Sequence, residues 1–444
     1  MSNFVRSSKF RHVFADAPKI ENSWVGYRLA TTTGEQTYIK ASCKYFALAV
    51  TGGGGPFAVG EIDKPGRLSG KQFQVQGHSS AVLDFDFNPF SDHILASCSD
   101  DSTIKIWDLP KSGGLTENIT EPMVDIRGHG RKVTLLRWNP TAANTLASCS
   151  GDQTVKVWDV ESGSEAMSFA GNPELTQELV WDWSGNMLAT ACKDKHIRTI
   201  DGRTGAVGNA WEAHEGSKSV KLAYLGAGGN SPSSYIASVG FTKQSQRELK
   251  VWDPRNTAKP LKKQDIDQAA GVIMPFYDYD TQILYLCGKG DGNVRYFEMS
   301  EKEPYLFPLA EFRSTTSCKG MCMVPKRGND IMKCETMKLL KLTPNDGVQM
   351  LNFIVPRKSD AFQDDIFPDT PAPKAAHTHA EWMAGSDKTP VLMSLDPSKG
   401  GAAAFAGGEQ MKIKTVASVS KELAAANTRI AELEALLKAN NIAA

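Results

Sequence analysis

The sequence lacks an excess of charge of either sign, because its 50 Lys and Arg residues balance its 50 Asp and Glu residues. A neutral chain has no global field to attract nucleic acid or an anionic membrane, so we expect neither partner. It also lacks any apolar stretch near the roughly 18 residues of a transmembrane helix, and it does not open with a secretory leader pattern. These absences predict a soluble, cytosolic protein with no transmembrane segment.

The usual motifs of metal binding and cofactor binding are missing as well. Of the eight cysteines, Cys318 and Cys322 are close together, but no second pair or histidine follows at zinc-finger spacing. The glycine run 52–55 lacks the lysine of a phosphate-binding loop, and no dinucleotide fingerprint or HExxH motif is present. We therefore expect no metal and no cofactor.

What the sequence does contain is an internal repeat that opens with Gly-His and ends with Trp-Asp. The first copy spans 77–108 and the second, which begins 51 residues later, spans 128–159. Repeats of this kind are typical of WD-repeat β-propellers. Since one unit cannot bury its own apolar faces, several units must be arranged in a ring.

Weaker copies follow, and the five units end at positions 108, 159, 201, 253 and 298, which are 42 to 52 residues apart. Apolar runs at 45–61 and 321–355 supply two further units. The sequence thus predicts an all-β fold, a seven-bladed propeller over residues 1–355. The last unit lacks a fourth strand, and the alternating stretch 10–14 is the candidate that would fill it and close the ring.

The good repeats carry Ser, His and Asp, the residue types of a hydrolase triad. Because catalysis needs one site and not one copy per blade, we interpret them as a buried hydrogen-bond chain from Asp to His to Ser to the Trp indole, with the aspartates in tight turns. We therefore predict that the protein is not an enzyme. The predicted network residues are His78, Ser97, Asp101, Trp107, His129, Ser148, Asp152, Trp158, Asp194, His214, Trp252 and Asp291.

Beyond the propeller, the strand pattern stops. Residues 356–395 mix charges with isolated apolar residues such as Trp382, which predicts an extended arm packed on the propeller. Residues 396–411 are rich in Gly, Ala, Pro and Ser and predict a flexible linker.

Residues 412–444 carry a heptad pattern, with Val416, Leu423, Ile430 and Leu437 at its first position. This pattern predicts an α-helical coiled coil, and a single amphipathic helix docked on the propeller is the alternative. The heptads alone leave dimer and trimer open.

Four segments resemble the coronin family: Val5–Phe14, Lys193–Lys195, Cys287–Tyr296 and Pro356–Thr370. The similarity covers roughly residues 4–395, and the short spacer before the coil suits a conventional short coronin. The tail resembles the coronin trimer coil, whose R-I-x-x-L-E motif falls on Arg429, Ile430, Leu433 and Glu434.

The resemblance implies a protein of the cytoplasm and cell cortex that binds actin filaments along their sides and regulates actin dynamics. It also implies a homotrimer that acts with the actin-related-protein nucleating complex and with cofilin. Arg28 aligns with a basic residue that the family uses on filaments. Lys9, Arg11 and Lys19 are further candidates, because the first 44 residues are locally basic. The alternative is a propeller scaffold for signalling or ubiquitin-ligase assembly, since the fold by itself does not specify a function.

Overall fold

The computed structural model describes residues 7–31, 34, 36–68, 72–226, 233–345, 347–400, 423 and 427–430. Its main sheets form seven blades, and the first strand of each blade lies beside the first strands of both neighbouring blades, which closes the ring. The predicted seven-bladed β-propeller is confirmed.

Blades two to six each have four antiparallel strands in sequence order. Their strands are Val82–Phe87, Ile94–Ser99, Thr103–Asp108 and Val124–Arg127 in blade two; Val133–Trp138, Thr145–Ser150, Val155–Asp159 and Ser164–Phe169 in blade three; Thr176–Trp181, Met187–Cys192, His196–Asp201 and Val207–Glu212 in blade four; Lys221–Gly226, Ser233–Phe241, Arg247–Trp252 and Lys262–Asp267 in blade five; and Ile273–Asp278, Ile283–Gly288, Val294–Met299 and Leu306–Phe312 in blade six.

Blade one comes from the N-terminal part of the sequence, whereas blade seven combines both ends of the propeller sequence. Blade one contains Ile39–Ala41, Tyr45–Ala49 and Phe57–Glu61, and Phe57 also bridges to Val75. Blade seven contains Gly320–Met323, Glu335–Thr343 and Gly347–Ile354, followed by Ser23–Val25 from the N-terminal segment and then, in parallel, by Gly66–Arg67. The short strand Phe14–Ala15 also pairs with Gly347–Ile354.

The prediction that residues 10–14 form the closing strand is wrong in position. Only Phe14 of that stretch lies in a strand, and residues 10–13 form a turn in which the Val13 amide donates to the Phe10 carbonyl at 3.1 Å. In a strand Phe10 and Val13 would point to opposite faces, whereas the turn lets both side chains enter the core between blades six and seven. The main closing strand is Ser23–Val25, whose buried Trp24 packs edge-on against Phe46 at 5.1 Å.

Two ends of the propeller must be distinguished. We call upper face the end that carries the turns between the second and third strands, such as the turn at Asp101. We call lower face the opposite end, which carries the loops between the first and second strands. The short 3₁₀ helices Lys326–Gly328 and Ile331–Lys333 lie in such a lower loop of blade seven, and Ile20–Asn22 precedes the closing strand.

The C-terminal arm crosses the lower face and returns. Its strand Thr370–Pro371 pairs with Leu392–Met393, and the helix His379–Met383 lies between them. Trp382 of this helix is fully buried and packs edge-on against Trp181 of blade four at 5.9 Å. The arm is therefore bound to blade four at its helix, and its residues Ile366, Phe367 and Leu395 join the core of blades six and seven.

The predicted linker begins as an ordered turn, because Leu395 is buried and Asp396 caps the 3₁₀ helix Pro397–Lys399. Residues 401–422 lie outside the described part of the chain. In the predicted coiled coil, Leu423 and residues 427–430 are helical, while Leu433 and Glu434 lie outside the described residues. No helix within the described ranges is long and apolar enough to cross a membrane.

Candidate functional site

The predicted hydrogen-bond chain exists in blade two. The Asp101 carboxylate lies 3.0 Å from Nδ1 of His78, Nε2 of His78 lies 2.8 Å from Oγ of Ser97, and the Trp107 indole donates to the same Oγ at 2.8 Å. The chemistry of the two end groups fixes which group donates in each hydrogen bond, since an ionised Asp accepts from His and the indole can only donate.

Blade three repeats the arrangement with almost the same distances. His129 contacts Asp152 at 3.0 Å and Ser148 at 2.7 Å, and the Trp158 indole donates to Ser148 at 2.8 Å. Ser148 is fully buried, so no substrate reaches its hydroxyl. Because it is buried, the hydrogen-bond chain has a structural role in the blade.

Electrostatics support the structural role. Burial alone would raise the pKa of Asp101, but hydrogen bonds from His78 and Thr103 outweigh it and hold the pKa well below its usual range. Burial lowers the pKa of His129, although its contact with Asp152 acts in the opposite direction. The imidazole is therefore favoured in its neutral form, as the chain of hydrogen bonds requires.

A third copy in blade five contains the predicted His214 and Trp252, together with Glu248 and Ser238, which the sequence analysis missed. His214 contacts Glu248 at 2.8 Å and Ser238 at 2.8 Å, and the Trp252 indole donates to Ser238 at 2.8 Å. Glu248 stands four residues before its tryptophan, where the earlier copies have Thr103 and Thr154. An acid at that position was the available signal.

Two predicted members do not join a histidine chain. Asp194 pairs with Arg198 on the third strand of blade four. Asp291 accepts from Arg247 at 2.7 Å, and Arg247 also donates to both oxygens of Asp267. Their carboxylates are therefore neutralised by arginine, and the second pair joins blade five to blade six.

Arg28 lies at the upper face on an extended segment that leads from blade seven to blade one. Tyr27 and Leu29 are buried while Arg28 is exposed, as strand alternation requires. The Thr51 amide donates to the Arg28 carbonyl at 2.8 Å, which fixes the backbone. Among the residues the structure describes, Arg28 has no ion-pair partner.

Two lysines anchor this segment, one from blade six and one from the start of blade seven. The Lys289 ammonium donates to the Gln36 carbonyl at 2.9 Å, and the Lys319 ammonium donates to the Ala30 carbonyl at 2.7 Å. Lys289 also lies 4.7 Å from the centre of the Tyr38 ring. These contacts hold the backbone of the segment that carries Arg28.

A groove of about 400 Å³ opens beside this segment, between blades one and two. Its wall includes Ala30, the glycine turn at 52–55 and the backbone of 79–82. Gly55 has a φ of +60°, and a Cβ there would lie 2.0 Å from the Ser80 carbonyl oxygen, so only glycine fits. The groove thus presents backbone and small side chains next to an exposed arginine.

The four basic candidates do not form one patch. Lys9 lies at the lower face and donates to the Asp365 carbonyl of the arm at 2.9 Å. Arg11 is exposed in the turn before Phe14. Phe14 pairs with Ile354, which is the lower end of the strand Gly347–Ile354, so this turn lies towards the lower face. Lys19 lies beside the closing strand, 3.7 Å from Glu21. Only Arg28 belongs to the upper face.

The described upper-face loops carry more exposed basic than acidic residues. The exposed acids are Asp100, Glu174 and Glu215. The exposed basic residues are Arg28, Arg131, Lys132, Lys193, Lys243 and Arg313. Elsewhere, no three His, Cys, Asp or Glu residues of the described ranges are grouped so as to hold a metal ion.

The repeat pattern and the buried His–Ser–Trp chains define a WD-repeat β-propeller, and family models agree. Models described as the WD domain, G-beta repeat match residues 70–108 and 120–159, and a type of WD40 repeat matches 348–390. A domain of unknown function matches residues 3–67.

Relatives narrow this class further. The chain is 39% identical to coronin-A of Dictyostelium discoideum, a match that covers 89% of this chain and 87% of that protein. It is 37% identical to human coronin-2A over 88% of this chain and 75% of that protein. It is 38% identical to the coronin-like protein of Saccharomyces cerevisiae, of which it spans 61%. The chain belongs to the coronin family.

A solved structure supports the same assignment. The WD40 domain of Toxoplasma gondii coronin superposes with a TM-score of 0.82 at 31% identity, covering 87% of this chain and 98% of that domain. Most of the described chain therefore corresponds to a known coronin propeller.

Proposed function

We propose that this protein binds the sides of actin filaments through its upper face, with Arg28 at the contact. The single observation that carries the proposal is the exposure of Arg28 on an anchored segment of a coronin propeller, within a face whose described loops carry more exposed basic than acidic residues. Actin is acidic, so complementary charge would steer and orient the propeller. The groove beside Arg28 gives a partner loop room to approach the backbone.

We further propose that the C-terminal coil makes the protein a parallel homotrimer. In the single chain, Leu423 and Ile430 are exposed apolar residues one heptad apart, and both lie at described helical positions. Their exposure supports a coiled-coil interface with the helices of other chains. Three linked propellers on one filament gain affinity by effective concentration, even where each contact is weak.

The finer parts of the proposal rest on the family alone. They are action with the actin-related-protein nucleating complex and with cofilin, and residence in the cytoplasm and at the cell cortex. The position and exposure of Arg28 give no direct support to these finer parts.

Co-sedimentation with actin filaments tests the proposal. Arg28→Asp replaces an attraction with a repulsion at an exposed position, so folding should change by only about 0.5 kcal/mol or less. A surface ion pair contributes about 0.2–1 kcal/mol, reversal enlarges the change, and three coupled sites multiply it, so binding should weaken severalfold or more. Binding should also weaken as salt is raised.

Arg11→Asp and Lys19→Asp are matched controls, because they reverse exposed charges away from the upper face. Both should bind filaments like the wild type. If Arg28→Asp binds normally at low and moderate salt while a control loses binding, the filament contact lies away from the upper face.

A further inference from the structure

A cavity of about 220 Å³ lies at the lower end of the central channel, where the first strands of blades six and seven end. The returning arm covers one side of it with Thr370 and Pro371. The cavity lies at the end of the propeller opposite to Arg28.

Three aromatic residues form one wall of the cavity. The ring of Tyr279 lies 4.5 Å from that of Trp183 and 4.8 Å from that of Tyr277. The Tyr277 hydroxyl donates to the Gly226 carbonyl at 3.2 Å, and the Tyr279 hydroxyl donates to the Tyr224 carbonyl at 3.1 Å. Because their hydroxyls are engaged with blade five, the rings are held in place and offer ring surface to the cavity.

The charged residues of the wall are paired with one exception. Asp278 accepts hydrogen bonds from Lys326 and from the Thr281 hydroxyl. Arg327 lies 3.7 Å from Asp92. Asp280 is only 9% exposed, and none of the described residues hydrogen-bonds its Oδ2. The described residues thus give this oxygen no hydrogen-bond donor, although Thr370 and Lys326 lie close to the Asp280 carboxyl. A buried oxygen without a donor is costly unless something occupies the site.

We propose that this cavity binds a small organic cation, an ammonium group on an aromatic or aliphatic stem, with the charge at Asp280 and the stem against Trp183 and the tyrosines. A cation supplies the missing hydrogen-bond donor to Oδ2 and neutralises the carboxylate. Aromatic ring faces attract cations and bury apolar stems at the same time. An anion would meet the unpaired carboxylate and is disfavoured.

The site should be sensitive to pH. Burial, reinforced by the neighbouring charges of Asp278 and Asp369, raises the pKa of Asp280 to about 7, while Lys326 and a hydrogen bond from Thr370 act in the opposite direction. Below that pH the carboxyl is protonated and loses its attraction for a cation. Affinity should therefore fall as the pH is lowered from 8 to 6.

Calorimetric titration of the full-length protein with benzylammonium tests the proposal, with benzyl alcohol as the neutral probe of matched shape. At pH 8 the cation should bind about tenfold more tightly than the alcohol, and the difference should largely disappear at pH 6. Asp280→Asn should abolish the preference for the cation, and Trp183→Leu should weaken both probes. Asp265→Asn, which removes an exposed acid on the outer strand of blade five, should change nothing.

Absence of saturable benzylammonium binding at pH 8 would overturn the proposal, as would equal affinity for the two probes. The pH comparison uses the wild-type chain, so it stays informative even if Asp280→Asn alters folding. Because these measurements contain no actin, their outcome is independent of the filament proposal.

Discussion

Replacement of Phe10 by alanine tests how much the N-terminal segment stabilises the ring. Phe10 is 9% exposed and packs with Val13 in the core shared by blades six and seven. The Tyr296 hydroxyl donates to the Val13 carbonyl at 2.8 Å, which holds the turn in place. Truncation of a buried Phe to Ala costs about 3–5 kcal/mol, from lost transfer energy and from the cavity left behind.

Phe14→Ala is the matched control, since the same side chain four residues later is 41% exposed. It should cost about 1 kcal/mol or less. Urea denaturation of both variants, monitored by tryptophan fluorescence, measures the difference in free energy of unfolding. Equal losses in the two variants, or an unchanged midpoint for Phe10→Ala, would refute the assignment of Phe10 to the core.

Deletion of residues 1–14 extends the same argument. It removes Phe10, Val13 and one strand residue, but it leaves the main closing strand Ser23–Val25. We therefore expect a clear loss of thermal stability, with exposed apolar surface and a tendency to aggregate. A deletion variant that melts like the full chain would show that the segment does not stabilise the ring.

Three further predictions follow from the buried chains and the tail. Ser148→Ala leaves the Trp158 indole without an acceptor and should lower the free energy of unfolding by about 1–3 kcal/mol, whereas Ser162→Ala at an exposed turn should change it by less than about 0.5 kcal/mol. Burial lowers the pKa of His129 and His214, so the unfolded chain binds more protons than the folded chain does. The melting temperature should therefore fall as the pH drops below about 6.5. A melting temperature that stays constant from pH 8 to 5 would contradict this. Light scattering should give a trimer for the full chain and a smaller species for Ile430→Asp, and a monomeric wild type would exclude the coiled coil.

The propeller was predictable because its signal is repeated. Each strong unit has an alternating third strand and a Trp-Asp end, and a ring of such units buries both faces of each unit. The histidine chains of blades two and three were predictable for the same reason. In blade five, a longer second strand moves Ser238 away from its expected spacing and Glu248 replaces the turn aspartate, so local pattern failed there.

Other features depend on contacts that no local pattern records. The closing strand was misplaced because two N-terminal segments pair with different ends of the same strand. Ser23–Val25 pairs with its upper end and Phe14–Ala15 with its lower end, while Phe10 and Val13 turn into the core. The separation of Arg28 from Lys9 also follows only from strand register. The unpaired Asp280 oxygen arises where blades six and seven and the arm meet, far apart in sequence.

Hydrogen–deuterium exchange of the full-length protein, with and without actin filaments, measures directly whether the upper face contacts the filament. Exchange should slow on filaments in the upper-face segments 26–31 and 50–56, with little change in the lower-face arm at 365–372. Slower exchange confined to the arm and the lower loops, with unchanged exchange around Arg28, would contradict this expectation.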